Sequence, residues 1–157
     1  MYKFQLKNFL NAAYELILVF LQFFIISLHF FKWDFIPQIQ IIRVSSLSYL
    51  SGFFIIIISF IILLISIKDL GRNLSPFPTP IKNSNLVTTG IYSFTRHPMY
   101  YSLIFVSFGI FITKLSTYYL FLTLSLGLII KFKIALEEKY LNNKFKKYLL
   151  YKNEVKY

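Results

Sequence analysis

Cysteine is absent from this sequence, which excludes disulfides, thiolate nucleophiles and cysteine-built zinc sites. Acidic residues are scarce as well: six Asp and Glu stand against 17 Lys and Arg, for a formal net charge of +11. The five glycines, Gly52, Gly71, Gly90, Gly109 and Gly127, form no GxGxxG cluster. Strand–helix alternation is missing too, so a Rossmann nucleotide site is not supported. Neither histidine, His29 nor His97, has a carboxylate at helical metal-ligand spacing, and no metal is expected. No Ser-His-Asp arrangement can be assembled. No secretory leader is expected either: the first apolar run is too long, carries Glu15 and lacks a small-residue cleavage site after it. The basic excess matches no nucleic-acid-binding motif, so nucleic acid is not an expected partner.

What is abundant is apolar and aromatic. Hydrophobic residues make up 57% of the chain and charged ones 15%, and the mean hydropathy is +0.62. A soluble domain has about half apolar and about a quarter charged residues. The apolar residues also gather into runs. At about 1.5 Å per residue, runs of this length cross a hydrocarbon core of about 30 Å. Four spans are predicted, at 9–31, 47–67, 98–113 and 115–132, with Lys114 at a tight helical hairpin between the last two. The expected fold is therefore all-α: a single domain over 1–157, an integral membrane bundle of about four helices in contact with the lipid bilayer.

Between the second and third spans, residues 68–97 change character. Pro76, Pro78 and Pro80 forbid a regular helix there, and a loop of about this length is usually functional or disordered. Pro98 then opens the third span, since proline is favoured at the first helical position. In the tail, 133–157, Leu136, Tyr140, Leu141, Phe145, Tyr148 and Leu149 recur at helical spacing among Lys139, Lys144, Lys146 and Lys147. That pattern predicts an amphipathic helix on a basic membrane surface. Four spans place both termini on one side, and the positive-inside rule puts the long loop and the tail in the cytoplasm. Segment 32–46, with Trp33 suited to an interface, is then outside.

The chemically useful side chains gather on the cytoplasmic side. Arg96 and His97 precede the third span, where free backbone N–H groups and the helix dipole favour an anion. Glu137 and Glu138 follow the fourth. Each also suits a plain interface anchor. Lys133 and Glu137 are four apart, so they either pair along one helix face or leave Glu137 facing inward toward a ligand's ammonium. His29, inside the first span, reads as a packed or interface residue. Glu15 reads as lying near the interface.

Residues 86–100 run Leu-Val-Thr-Thr-Gly-Ile-Tyr-Ser-Phe-Thr-Arg-His-Pro-Met-Tyr. This resembles the L-V-T-x-G-x-Y-x-x-x-R-H-P-x-Y signature of the isoprenylcysteine carboxyl methyltransferase family and its bacterial relatives. Glu137, Glu138, Leu141, Phe145, Tyr148, Tyr151 and Val155 resemble the second half of that signature, and Leu70–Pro76 the loop leading into the first. The likeness covers roughly residues 70–157. Departures are Ile91 for a common proline, Ser102 and Lys146 for glycines, and Lys133 for an arginine.

The resemblance implies S-adenosylmethionine as cofactor and a lipophilic acceptor entering from the bilayer, in a multi-pass protein of the bacterial inner membrane. It implies a cofactor site built from Asn85, Leu86, Val87, Tyr92, His97, Pro98, Met99, Tyr100 and Glu137. Lys133 falls where the family has an arginine near the acceptor, and Lys133 and Arg96 are the catalytic candidates. The acceptor stays open among an isoprenylcysteine-like carboxylate, a phospholipid amine and a small hydrophobic molecule. Two alternatives stand beside this. One is an NADPH-dependent membrane reductase of the sterol-reductase type, whose R-H-P-N-Y motif is broken here by Met99. The other is a non-enzymatic membrane protein on the same scaffold.

Overall fold

The computed structural model describes residues 2–31 and 39–156, with side chains from residue 9 onward. The expected interface residue Trp33 and most of its loop lie outside the described residues. The described chain is all helical, with one antiparallel bridge, between Gln40 and Ser116, as its nearest approach to a strand.

Among the described residues there are five α-helices: α1 (Tyr2–Leu28), α2 (Ser46–Leu70), α3 (Pro98–Lys114), α4 (Thr117–Lys144) and α5 (Tyr148–Glu154). Local chemistry sets their ends. Ser45 caps α2 through a reciprocal pair of bonds with Ser48, satisfying donors that the first turn leaves free. Gly71, at φ 53°, stops α2, a backbone state that costs glycine little. Pro98 starts α3. The hairpin is tight: Leu115 takes a left-handed conformation after α3, and the Ser116 hydroxyl accepts from the Tyr118 N–H to open α4.

Among the described residues three helices are long and apolar enough to cross a membrane, within Phe9–Leu28, Ser46–Asn73 and Thr117–Lys144, and α3 is a shorter apolar helix. Their outward faces carry Phe20, Phe54, Phe105, Leu124 and other large apolar side chains, exposed as only a lipid-facing surface tolerates. The helices pack in the order α1, α4, α3, α2, with α2 against α3 the most extensive contact.

Two seams hold this row together, and both repeat every seven residues, close to two helical turns. On α2 the buried positions are Gly52, Ser59 and Ser66. A Cβ at Gly52 would lie 2.7 Å from the Gly109 carbonyl oxygen of α3, and one at Gly109 would lie 2.7 Å from the Ile56 side chain. Small residues therefore let two backbones approach, the usual device where lipid offers no hydrophobic drive. On the α1 side the seven-residue positions are Glu15, Gln22 and His29. Each reaches another element: Glu15 to the Thr79 hydroxyl at 2.6 Å, Gln22 to Lys133 of α4 at 2.5 Å, and His29 to Ser107 of α3 at 2.7 Å. Ser107 in turn bonds Thr123 at 2.8 Å.

The tail differs from its expected form. Helix α4 does not end near residue 132 but runs on to Lys144, and the chain then breaks at Phe145, whose backbone is extended. A helix of 28 residues is about 42 Å long, so its last turns stand clear of the hydrocarbon. The break turns the short α5 back toward Tyr92 and Arg96, just before the start of α3.

Candidate active site

One cavity, of about 760 Å³ counting its open mouth, lies where α2, the proline loop, α3, α4 and α5 converge. The segment 90–93, a short 3-10 turn, forms one side. It is pinned from α2: the Asp69 carboxylate accepts the Ile91 N–H at 2.8 Å, and a Cβ at Gly90, φ 64°, would sit 2.1 Å from that carboxylate. Only glycine satisfies both demands, and this places Tyr92 in the wall. Pro98 begins α3 and leaves His97 as its cap, with the His97 and Tyr100 rings stacked at 5.9 Å. The last turns of α4 bring in Glu137 and Leu141, and the break after them brings in Phe145, Tyr148 and Tyr151.

Of the residues expected in the site, Asn85, Leu86, Val87, Tyr92, Arg96, His97, Met99, Tyr100 and Glu137 all line this cavity. Pro98 and Lys133 do not. Pro98 is buried behind the wall as the first residue of α3. Lys133 is buried too, at 1% exposure. Its ammonium donates to Gln22 and to the Pro76 carbonyl at 2.9 Å and lies over the Tyr100 ring at 5.3 Å. It thus ties α1, the loop and α3 together behind the cavity, and forms no ion pair with Glu137 among the described residues.

Arg96 touches the cavity, yet its guanidinium is committed elsewhere. Nε and Nη2 reach Glu138 at 3.0 and 2.9 Å, and Nη1 donates to the Val155 carbonyl. Glu138 also takes Lys152 at 2.7 Å and lies 3.3 Å from His97 Nε2. The Tyr151 hydroxyl donates to the Tyr92 carbonyl at 2.6 Å. These bonds staple α5 over the site. Burial pushes the Tyr151 phenol up to about 12 and raises that of Tyr92 as well, so both hydroxyls keep their protons at working pH. Lys144, on the rim, donates to the loop carbonyls of Ile81 and Lys82 and to Ser84.

The loop residues Asn73, Ser75, Phe77 and Pro78 were not expected in the wall, and nor were Leu141, Phe145 and Tyr148. The last three belong to the second half of the signature, which was the signal for them. Tyr148 is 1% exposed and its hydroxyl has no partner among the described residues. A buried polar group without a partner is uncommon and points to something it meets when the site is filled.

The class of this membrane helical bundle is set by its family, one of methyltransferases. A family model described as phospholipid methyltransferase matches residues 47–148, well over half of the chain, and the protein belongs to that family. The isoprenylcysteine carboxyl methyltransferases are related to it. No curated protein and no solved structure matches the chain.

Proposed function

We propose that this protein transfers a methyl group from S-adenosylmethionine to a lipophilic or membrane-associated acceptor, at the cavity beneath α5. In this reading the whole of 1–157 is one domain, seated in a bacterial inner membrane with the cavity toward the cytoplasm, where the basic loop and tail favour it. The observation that carries it is the joint lining of one cavity by Glu137, His97, the unpartnered Tyr148 hydroxyl and an apolar wall.

The residues present suit the cofactor's parts. Glu137 supplies a carboxylate for an ammonium, and Tyr148 and Asn85 supply polar groups. Leu86, Val87, Met99, Leu141 and Phe145 offer the apolar and aromatic surface that an adenine ring and a thioether arm require. Tyr92, His97 and Tyr100 complete that wall, with Pro98 buried behind it as the first residue of α3. The sulfonium, once bound, supplies a methyl already activated for in-line displacement. The protein is left to align two reactants and exclude water. Arg96 acts by fixing Glu138 and the tail. Lys133 acts from behind the loop, nearer the acceptor's side.

The test is calorimetric titration of the detergent-purified protein with S-adenosylmethionine, beside Glu137→Ala and His97→Ala. Saturable binding by the wild type, weakened by at least about tenfold in folded variants, is the expected result. Binding of NADPH instead would move the reading to a reductase. Binding of neither would leave a non-enzymatic membrane protein.

A further inference from the structure

Lys144, Lys146 and Lys147 stand at the elbow between the end of α4 and the start of α5. The break at Phe145 brings all three to one further cavity, of about 1560 Å³ counting its open mouth. Leu86, Phe145 and Tyr151 line both this cavity and the one beneath α5, so the two share a wall. Glu154 is the one carboxylate in its lining. Among the described residues every ion pair belongs to Glu138, and its lysine partner is Lys152. Lys144 gives its ammonium to uncharged groups, the Ile81 and Lys82 carbonyls and the Ser84 hydroxyl. Lys146 and Lys147 are exposed. Three cations facing one concave surface, with a single carboxylate against them, focus a field that draws an anion.

Two observations say where that anion comes from. Leu149 and Leu150 follow the lysines directly and are 57% and 64% exposed, and Leu150 lines the cavity. A soluble anion has no use for them, whereas apolar side chains beside lysines suit a membrane interface. The second observation is depth. Helix α4 has 28 residues and is about 42 Å long, against about 30 Å of hydrocarbon and about 40–45 Å with the headgroups included. An elbow at its end therefore lies at the level of the lipid phosphates.

Resting on the membrane placement proposed above, we infer that the elbow cavity takes the phosphate of an anionic phospholipid from the surrounding leaflet. Lys144, Lys146 and Lys147 are its cations, and Leu149 and Leu150 rest on the lipid. An ethanolamine or choline headgroup carries its own ammonium beside the phosphate, so an anionic lipid is the one selected. Lys146 and Lys147 lead into α5, while Leu86, Thr88 and Ser93 of the opposite wall belong to the segment that α5 covers. A headgroup held between them clamps α5 over the first cavity. The lipid thereby regulates access to that cavity, whatever the cavity binds.

The test uses the full chain in discs of choline phospholipid with a rising fraction of phosphatidylglycerol. Both faces of a disc carry the same lipid, so the outcome does not depend on which side faces the cytoplasm. The chain has no cysteine, so Leu149→Cys carries an environment-sensitive fluorophore at one position. Its emission should shift to the blue and saturate as the anionic fraction rises. In the chain without that change, hydrogen exchange of residues 148–154 should slow over the same range. Near an anionic surface each lysine is worth about fivefold in affinity. Lys146→Gln with Lys147→Gln should therefore raise the anionic fraction needed by at least about tenfold. Lys131→Gln with Lys139→Gln removes the same charge from exposed positions of α4 outside the cavity and should leave the response in place. Equal loss in that second pair would mean diffuse attraction and overturn the site. The same response to inorganic phosphate in choline discs would make the anion a soluble one and overturn the lipid. Exchange in 148–154 that ignores phosphatidylglycerol would remove the clamp.

Discussion

The seam between α2 and α3 and the seam that α1 makes with its neighbours share a seven-residue repeat and almost nothing else. Gly52, Ser59 and Ser66 remove bulk, and the two serines turn their hydroxyls back onto their own helix, to Ile55 and Ile62 carbonyls at 2.7 and 2.6 Å. Glu15, Gln22 and His29 do the reverse, sending polar groups outward to the loop, to α4 and to α3. One seam is closed by contact and the other by bonds. In a bilayer the first gives rigidity, whereas the Glu15 and Gln22 bonds of the second reach the loop beside the cavity, directly or through Lys133. Gln22 holds Lys133, Lys133 holds the Pro76 carbonyl, and the loop neighbours of Pro76, Ser75 and Phe77, line the cavity beneath α5.

If that division of labour is right, damage to the two seams will read out differently. The largest loss of stability is expected for Gly109→Leu, whose side chain must enter space already held by Ile56 and the Gly52 carbonyl. Overpacking of this kind costs about 1–3 kcal/mol, and thermal unfolding in detergent should show it. Activity per folded molecule should change little.

Lys133→Met is expected to shift unfolding less, because removing a buried ammonium recovers its desolvation cost and offsets the loss of its bonds to Gln22 and the Pro76 carbonyl. Methyl transfer per folded molecule should nevertheless drop by about tenfold or more, as a loosened loop misplaces the reactants. Comparable melting of both variants, with activity tracking the folded fraction in each, would erase the distinction between the seams.

The smallest effect concerns pH. Tyr92 and Tyr151 belong to neither seam, and their phenols titrate above the ordinary tyrosine range because burial disfavours the phenolate. A raised pKa gives stability that is complete below about pH 10, the unfolded value, and is lost as pH climbs through the folded value of about 12 for Tyr151. Phenolate absorbance should therefore rise late, together with release of α5. Ionisation of both at ordinary tyrosine values, with α5 still docked, would mean that the staple is not buried.

Much of this was legible in the chain. Long apolar runs announce helices, Pro98 announces the start of α3, and the residues 86–100 carry the wall of the cavity. The end of α4 was not legible, because apolarity fades at Lys131 and Lys133 while the helix continues to Lys144. The burial of Lys133 was not legible either, since its partner Gln22 lies 111 positions away in sequence. The spacing of 15, 22 and 29 was present in the sequence, but Glu15 and His29 read singly look like isolated exceptions, and Gln22 draws no notice. The break at Phe145 was hidden by an apolar period that runs through it.

Helix α3, with 17 residues, is about 26 Å long, some 4 Å short of a bilayer core of about 30 Å. Its two ends cannot both reach an unperturbed interface. Either its His97 end is recessed below the lipid headgroups or the bilayer thins around it, and each at modest cost. In both cases the mouth of the cavity beneath α5 is brought closer to the lipid. A molecule rooted in the membrane by its tail would have little distance to rise before its head lay level with the chamber mouth, and it would not have to leave the lipid to react.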